Sequence, residues 1–191
     1  VSFPLVSNRL RVRHWRLADT AAAVKIYGVA DPTGWHTPAT HKAGDHAAMR
    51  AVLSTWVEEQ PELPAPQGRW AIERRSDEVV VGGLAIRLIP PAEEDLEISF
   101  QLDPAEWGHG YAVEAAHALM GWAFSHDIDE LFGVVAPNNS RAIATMNRLS
   151  MQWVGETAKY YEHTLLVYRI RPAQLPALPR RPPGPPAAQG N

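Results

Sequence analysis

The chain contains no cysteine, which removes disulfides, thiolate nucleophiles, iron–sulfur clusters and the usual zinc sites together. No run approaches the roughly 18 consecutive apolar residues of a membrane-spanning helix. Charge of one sign is also lacking: 18 Lys and Arg against 21 Asp and Glu give a formal net charge of −3. That balance offers no broad basic field to nucleic acid or to an anionic lipid surface. The first residues, Val1-Ser2-Phe3-Pro4, show no basic stretch followed by an apolar run. Together these absences predict a cytoplasmic protein with neither nucleic acid nor membrane as partner. A metal site is not expected either. His36, His41 and His46 recur at a spacing of five, which does not stack ligands on one helical face, and Pro38 interrupts them.

What is present fits one domain of ordinary size, since 191 residues suffice to bury a single core without staples. From residue 172 to the last residue the composition changes. Seven prolines, few apolar residues and the pair Arg180-Arg181 predict an extended, mostly disordered tail over 172–191 behind a domain over 1–171.

Periodicity gives the element order. Residues 10–13 alternate as a first strand, and Asp19 is placed to cap a helix over 20–29. A loop covers 31–40, and a second helix runs from 44 or 45 to 59, stopped by Pro61, Pro64 and Pro66. Residues 69–73 and 79–89 read as strands joined by a turn at Ser76-Asp77, followed by a strand over 96–102. A helix over 112–126 carries the apolar stripe Ala116, Leu119, Met120, Ala123 and Phe124. A strand over 131–136, a helix over 140–149 and strands over 151–155 and 165–170 complete the chain. The strand–helix–strand passage in the second half requires a parallel pair, so the sheet is expected to be mixed, with helices on its faces.

The chemistry is concentrated where the strand over 96–102 leads through Trp107-Gly108-His109-Gly110-Tyr111-Ala112 into a helix. A helix N-terminus offers N–H groups without intrahelical partners and the positive end of the macrodipole. Gly108 and Gly110 permit a tight backbone that an anion can approach, and Ala112 is small. A dinucleotide fingerprint needs a third glycine where Val113 stands, and it sits early in a doubly wound sheet. A nucleoside-triphosphate loop needs Gly-Lys-Ser/Thr, which is absent.

The loop resembles the one found between a strand and a helix in the GNAT acetyltransferase superfamily, Gln/Arg-x-x-Gly-x-Gly/Ala, with Trp107 in the place of Gln or Arg. Asn8-Arg9-Leu10-Arg11-Val12-Arg13-His14-Trp15, the run Gly108 to Ala115 and Val135-Ala136-Pro137-Asn138-Asn139-Ser140-Arg141 are similar to its RimJ/RimL-like branch, so the resemblance covers roughly residues 8–171. It implies an α/β (α+β) fold with a mixed central sheet of about six to seven strands flanked by helices, opened by a V-shaped acyl-CoA cleft. The implied activity is N-acetyl transfer from acetyl-CoA, without a metal, to a small-molecule amine or a protein N-terminus, and a homodimer is compatible with it. A non-catalytic acyl-CoA-binding module, or a transferase of succinyl or another acyl group, is the alternative.

By the same resemblance the pyrophosphate of coenzyme A meets the N–H groups of His109, Gly110, Tyr111 and Ala112, beside Trp107 and Gly108. The pantetheine arm runs along Phe100, Gln101 and Leu102. The family's Asn-x-x-Ser aligns with Asn139 and Ala142, and its Lys-Leu-Gly with Arg148-Leu149-Ser150, adding Asn139 and Arg148 to the cofactor set. For proton transfer, Glu97 is the candidate base, sharing a strand face with Ser99 and Gln101; a solvated or cross-strand paired charge is the other reading of Glu97. Tyr161, with Tyr160 and His163 beside it, is the candidate acid, and Ser99 is a lesser one. Trp35 and His36 are candidates for the acceptor wall.

Overall fold

A computed structural model describes residues 3–28, 44–90, 94–159 and 164–177. Its strands are β1 (Leu5–Val6), β2 (Leu10–His14), β3 (Gly68–Arg74), β4 (Val80–Leu88), β5 (Leu96–Leu102), β6 (Leu131–Val135), β7 (Gln152–Thr157) and β8 (Leu165–Ile170). The α-helices among the described residues are α1 (Thr20–Tyr27), α2 (His46–Glu59), α3 (Tyr111–Ala123) and α4 (Ser140–Arg148). The strands form one eight-stranded sheet in the order β1-β2-β3-β4-β5-β6-β8-β7. Every pairing is antiparallel except β5 with β6. The mixed sheet is therefore as expected, with one strand more than six to seven. The addition is β1, whose two residues pair with Val12 and Arg11 and are too few to show a period.

Each face of the sheet carries its own apolar layer. Leu10, Val12, Trp70, Ile72, Leu84, Ile86 and Ile98 meet the α3 stripe of Ala116, Leu119, Met120 and Ala123, all buried, with Phe124 packed beside it. On the opposite face Trp15 and Ala71 meet Ala23 and Ile26 of α1 and Met49 and Leu53 of α2. The period of 3.6 in the helices and of 2 in the strands produces this division directly. At Gly133 on β6, an added Cβ would lie 2.7 Å from Met146 of α4, so the absent side chain lets that helix approach the sheet.

Asp45 caps α2 by accepting the Ala48 N–H at 2.8 Å. Asp19 precedes α1 but does not cap it. Its carboxylate instead accepts both terminal nitrogens of Arg13, at 2.8 and 2.9 Å, and the Arg16 N–H at 2.8 Å. The difference is electrostatic: a guanidinium that is 6% exposed needs a carboxylate more than a helix terminus needs a cap. Glu73 meets the same guanidinium at 2.6 Å from the neighbouring strand and also accepts from Arg11. Residues 172–177 still touch the body: Leu175 packs on the core and the Pro176 carbonyl meets the His117 ring. Residues 178–191 lie outside the described residues.

Candidate active site

β5 pairs with β4 along its whole length, from Leu88 opposite Leu96 to Gly82 opposite Leu102. With β6 it shares a single parallel register pair, Glu97 opposite Phe132. Beyond that point the strands part, so among the described residues Ile98 to Leu102 have no strand partner on this side. The result is a V whose apex lies at Glu97 and Phe132 and whose mouth opens toward the end of β5. A parallel pair that separates in this way exposes main-chain donors and acceptors that an extended ligand can satisfy as a missing strand does.

The chain leaves the mouth through a short helical turn, Pro104–Glu106, capped by the Asp103 carboxylate on the Ala105 N–H at 3.0 Å. It then passes Trp107 and reaches Gly108 and Gly110, both left-handed with φ of 83° and 77°. No heavy atom lies within 4 Å of a Cβ built on Gly108, so space stands open in front of the loop. Gly110 occupies the N-cap position of α3 and, lacking a side chain, leaves the cap without one. This is a cradle for an anion: helix N–H groups at an unblocked N-terminus, reached through two glycines that hold angles costly for other residues.

The loop is braced from behind. Glu114, in the first turn of α3, accepts from the Ser7 hydroxyl, the Arg9 N–H and the Arg9 side chain, each at 2.7 Å. Arg9 also donates to the His109 carbonyl at 2.9 Å and lies 4.8 Å from the centre of the Tyr111 ring. Burial pushes the Glu114 carboxyl upward, but the hydrogen bonds from Arg9 and Ser7 outweigh it and hold the group below the usual carboxylate range. It stays ionised at neutral pH and ties the turn between β1 and β2 to the glycine loop. The sequence reading assigned Glu114 no role. An acidic residue in the first turn of a helix was the available signal, but its partner lies more than a hundred residues away.

The predicted cofactor residues fall into two groups. The side chains of Leu102, Tyr111 and Ala112 are buried, and Phe100 packs on the same core, so only their main chain can meet a ligand. Gln101, His109 and Trp107 keep exposed surface, and His109 stacks on Tyr111 at 5.4 Å. Asn139 uses its side-chain oxygen to cap α4, accepting the Ala142 N–H at 3.1 Å, which leaves its amide N–H groups as the available donors. Arg148 is exposed in the last turn of α4, roughly 10 Å along the helix axis from Arg141. In the first turn, Arg141 lies over the Trp107 ring at 4.0 Å. Sequence reasoning missed this contact, because it joins two segments that only the fold brings together.

Glu97 lies at the apex, 4% exposed, with its carboxylate 3.6 Å from Arg87 Nε on the adjacent strand. The cross-strand pair thus exists, and it fixes the Glu97 carboxylate at the base of the cleft. Ser99 is half-buried two residues further on, with Ala85 opposite it. Two residues further on, Gln101 stands opposite Gly83, and the Tyr27 hydroxyl hangs over that glycine: a Cβ there would be 2.0 Å from the hydroxyl oxygen. Burial raises the Tyr27 hydroxyl well above the usual phenol range, against the opposing pull of Arg69 and Arg87, so it stays neutral. A place among the partly buried residues of α1 gives Tyr27 no sequence signal for this contact. Trp35, His36, Tyr160, Tyr161 and His163 lie outside the described residues, as does His41. Among the described residues, no three His, Asp or Glu side chains gather as a metal site, and no helix is long and apolar enough to cross a membrane.

Among the described residues the mixed sheet thus parts beyond the parallel pairing of β5 and β6, with the glycine-headed α3 following at the mouth. The family model for the acetyltransferase (GNAT) domain matches residues 9–152, and the chain belongs to that family. It is 27% identical over 161 residues to the uncharacterized N-acetyltransferase p20 of Bacillus licheniformis, covering 82% of this chain and 86% of that protein. Two solved structures share the fold. RimJ of Mycobacterium smegmatis, in complex with CoA-disulfide, superposes with a TM-score of 0.69 at 18% identity, covering 88% of this chain and 84% of that one. The ribosomal-protein-S5-alanine acetyltransferase of Vibrio fischeri gives 0.70 at 14% identity, covering 90% and 98%. The chain is therefore a GNAT N-acetyltransferase using an acyl-CoA donor.

Proposed function

We propose that this protein moves an acetyl group from acetyl-CoA to a primary amine by direct attack of the amine on the thioester. The observation that carries the reading is the parting of β5 from β6 beyond Glu97 and Phe132, with the unblocked N-terminus of α3 at its mouth. A pantetheine arm laid along Phe100, Gln101 and Leu102 completes the edge of β5 through main-chain hydrogen bonds. The pyrophosphate then meets the N–H groups from His109 to Ala112, with Gly108 and Trp107 shaping the approach and Asn139 and Arg148 on the α4 side. Residues 1–171 form the catalytic domain in this reading and 172–191 its tail, working in the cytoplasm, where acyl-CoA donors are made.

Chemistry takes place on the sheet face that carries Glu97, Ser99 and Gln101. The amine nitrogen forms a bond to the thioester carbonyl carbon and the carbon–sulfur bond breaks, releasing the thiolate of coenzyme A. Glu97, oriented by Arg87, removes the proton from the amine directly or through one water. The departing sulfur takes a proton from Tyr161, with Ser99 as the lesser alternative. An oxyanion donor comes from the main chain of the open β5 edge. Trp35 and His36 are assigned to the acceptor wall.

The protein N-terminus comes first among acceptors, on the strength of the structural likeness to the Vibrio fischeri enzyme. The test is release of free coenzyme A from acetyl-CoA with a panel of peptides, amino acids and polyamines, followed by mass spectrometry of the product. A mass gain of one acetyl group on an amine, lost in Glu97→Gln at neutral pH, is expected. Acetyl-CoA left intact across the panel, or an equal rate in Glu97→Gln, would contradict the transfer or the role of Glu97 respectively.

A further inference from the structure

Trp107 brings no charge of its own to the phosphate loop, and Arg9, the nearest cation on one side, is committed to Glu114 and to the His109 carbonyl. On the other side stands Arg141. Its guanidinium lies over the Trp107 indole at 4.0 Å, three residues before the N-cap of α3. Stacking of this kind fixes the plane of the guanidinium while leaving its in-plane N–H edge free to donate to an anion.

Nothing about α4 itself asks for a cation at that position. Arg141 is the second residue of a nine-residue helix, where the macrodipole favours negative charge, and its side chain opposes that preference. Among the described residues no carboxylate forms an ion pair with it. The other arginine of α4, Arg148, sits at the C-terminal end, where a cation suits the helix without any ligand. An exposed, oriented and unneutralised guanidinium beside an open anion cradle is suited to a phosphate, to which Arg donates through two parallel N–H groups.

We infer that Arg141, held over the Trp107 ring, is a phosphate ligand for the nucleotide part of the acyl-CoA cosubstrate. This rests on the acyl-CoA cleft described above and deepens it by assigning the residue that recognises the nucleotide end. Both the pyrophosphate and the ribose 3′-phosphate have the required chemistry. The side chain acts on binding and not on transfer, because it stands on the α4 side of the loop while the reacting carbonyl lies near Ser99.

Arg141→Gln is the informative variant. Its planar amide still stacks on Trp107 but carries no charge, so apo thermal stability should match wild type. Calorimetric titration of coenzyme A should show affinity about tenfold weaker in the variant, the usual loss for one charge-assisted hydrogen bond, and a shallower dependence on salt. KM for acetyl-CoA should rise by a similar factor with kcat retained. Acetyl-pantetheine, which lacks the nucleotide, should be used equally by both proteins. Dephospho-CoA divides the sources: an undiminished tenfold effect assigns the contact to the pyrophosphate, and its disappearance assigns it to the 3′-phosphate. Equal affinity of wild type and variant for coenzyme A would overturn the assignment while leaving the cleft intact. Wild type that fails to bind coenzyme A at all would overturn the cleft and the assignment together.

Discussion

Gly110→Asp is expected to abolish useful acyl-CoA binding while leaving the protein folded. Gly110 holds φ of 77°, a region that Asp and Asn occupy more readily than other side chains do. The nearest atom to a Cβ built there is a terminal nitrogen of Arg9 at 3.7 Å, an ordinary contact, so the side chain fits and the strain is small. What changes is the charge in front of the α3 N-terminus. A carboxylate there caps the helix N–H groups internally and repels the phosphates they would otherwise receive. The loss in affinity should be at least about 100-fold, since like charges brought together in a site cost several kcal/mol. Gly110→Asn separates the two effects: it takes the same backbone angle and adds similar bulk without charge, and should lose far less. Equal losses in the two variants would assign the defect to shape and leave the anion cradle unsupported.

The largest effect on stability is expected at Glu73. Its carboxylate, 4% exposed, lies between Arg13 and Arg11, and Arg13 in turn holds Asp19. Removing one member of a buried ionic network leaves the other charges desolvated and unpaired, which costs about 3 to 5 kcal/mol. For a chain of this size that lowers the thermal midpoint by roughly 10 °C. Glu73→Ala should therefore melt well below wild type at neutral pH, although it touches neither the glycine loop nor the cleft.

The same residue sets a pH signature. Burial pushes the Glu73 carboxyl up, but hydrogen bonds and charge from Arg13 and Arg11 outweigh that and hold it below its ordinary value of 4.5. A depressed folded value means that its stabilisation is complete above the unfolded value and is lost as pH falls through the folded one. The gap between wild type and Glu73→Ala should thus be widest above pH 4.5 and close on further acidification. A gap that stays constant down to pH 3 would mean that the ionised carboxylate is not what holds these strands.

The cleft loop was legible in the sequence because its determinants are local. A strand period, two glycines and a helical stripe occur within thirty residues, and the backbone conformation each requires is intrinsic to the residue. The same holds for the start of the second helix at 44 or 45 and for the apolar stripe of α3. What was not legible depends on register and on contacts between distant segments. Asp19 has the composition and position of a cap, yet a buried arginine on β2 claims it. Whether Glu97 is solvated or paired depends on which β4 residue stands opposite, and only the β4–β5 register puts Arg87 there. Tyr27 reads as one more apolar contact on α1 until Gly83 appears beneath its hydroxyl. Alignment to the family's motifs points to Arg148 on α4, and only the fold adds Arg141, over the Trp107 ring.

The claim that the parted strands and the glycine-headed helix form an acyl-CoA site is tested most directly by thermal unfolding of wild type and Gly110→Asp with acetyl-CoA, free coenzyme A and NAD. A ligand that binds only the folded state raises the midpoint by mass action. The account predicts a rise in wild type with both coenzyme A species, none with NAD, and none in Gly110→Asp with any of the three. An unmoved wild-type midpoint at millimolar acetyl-CoA, or an equal rise in the variant, would contradict it.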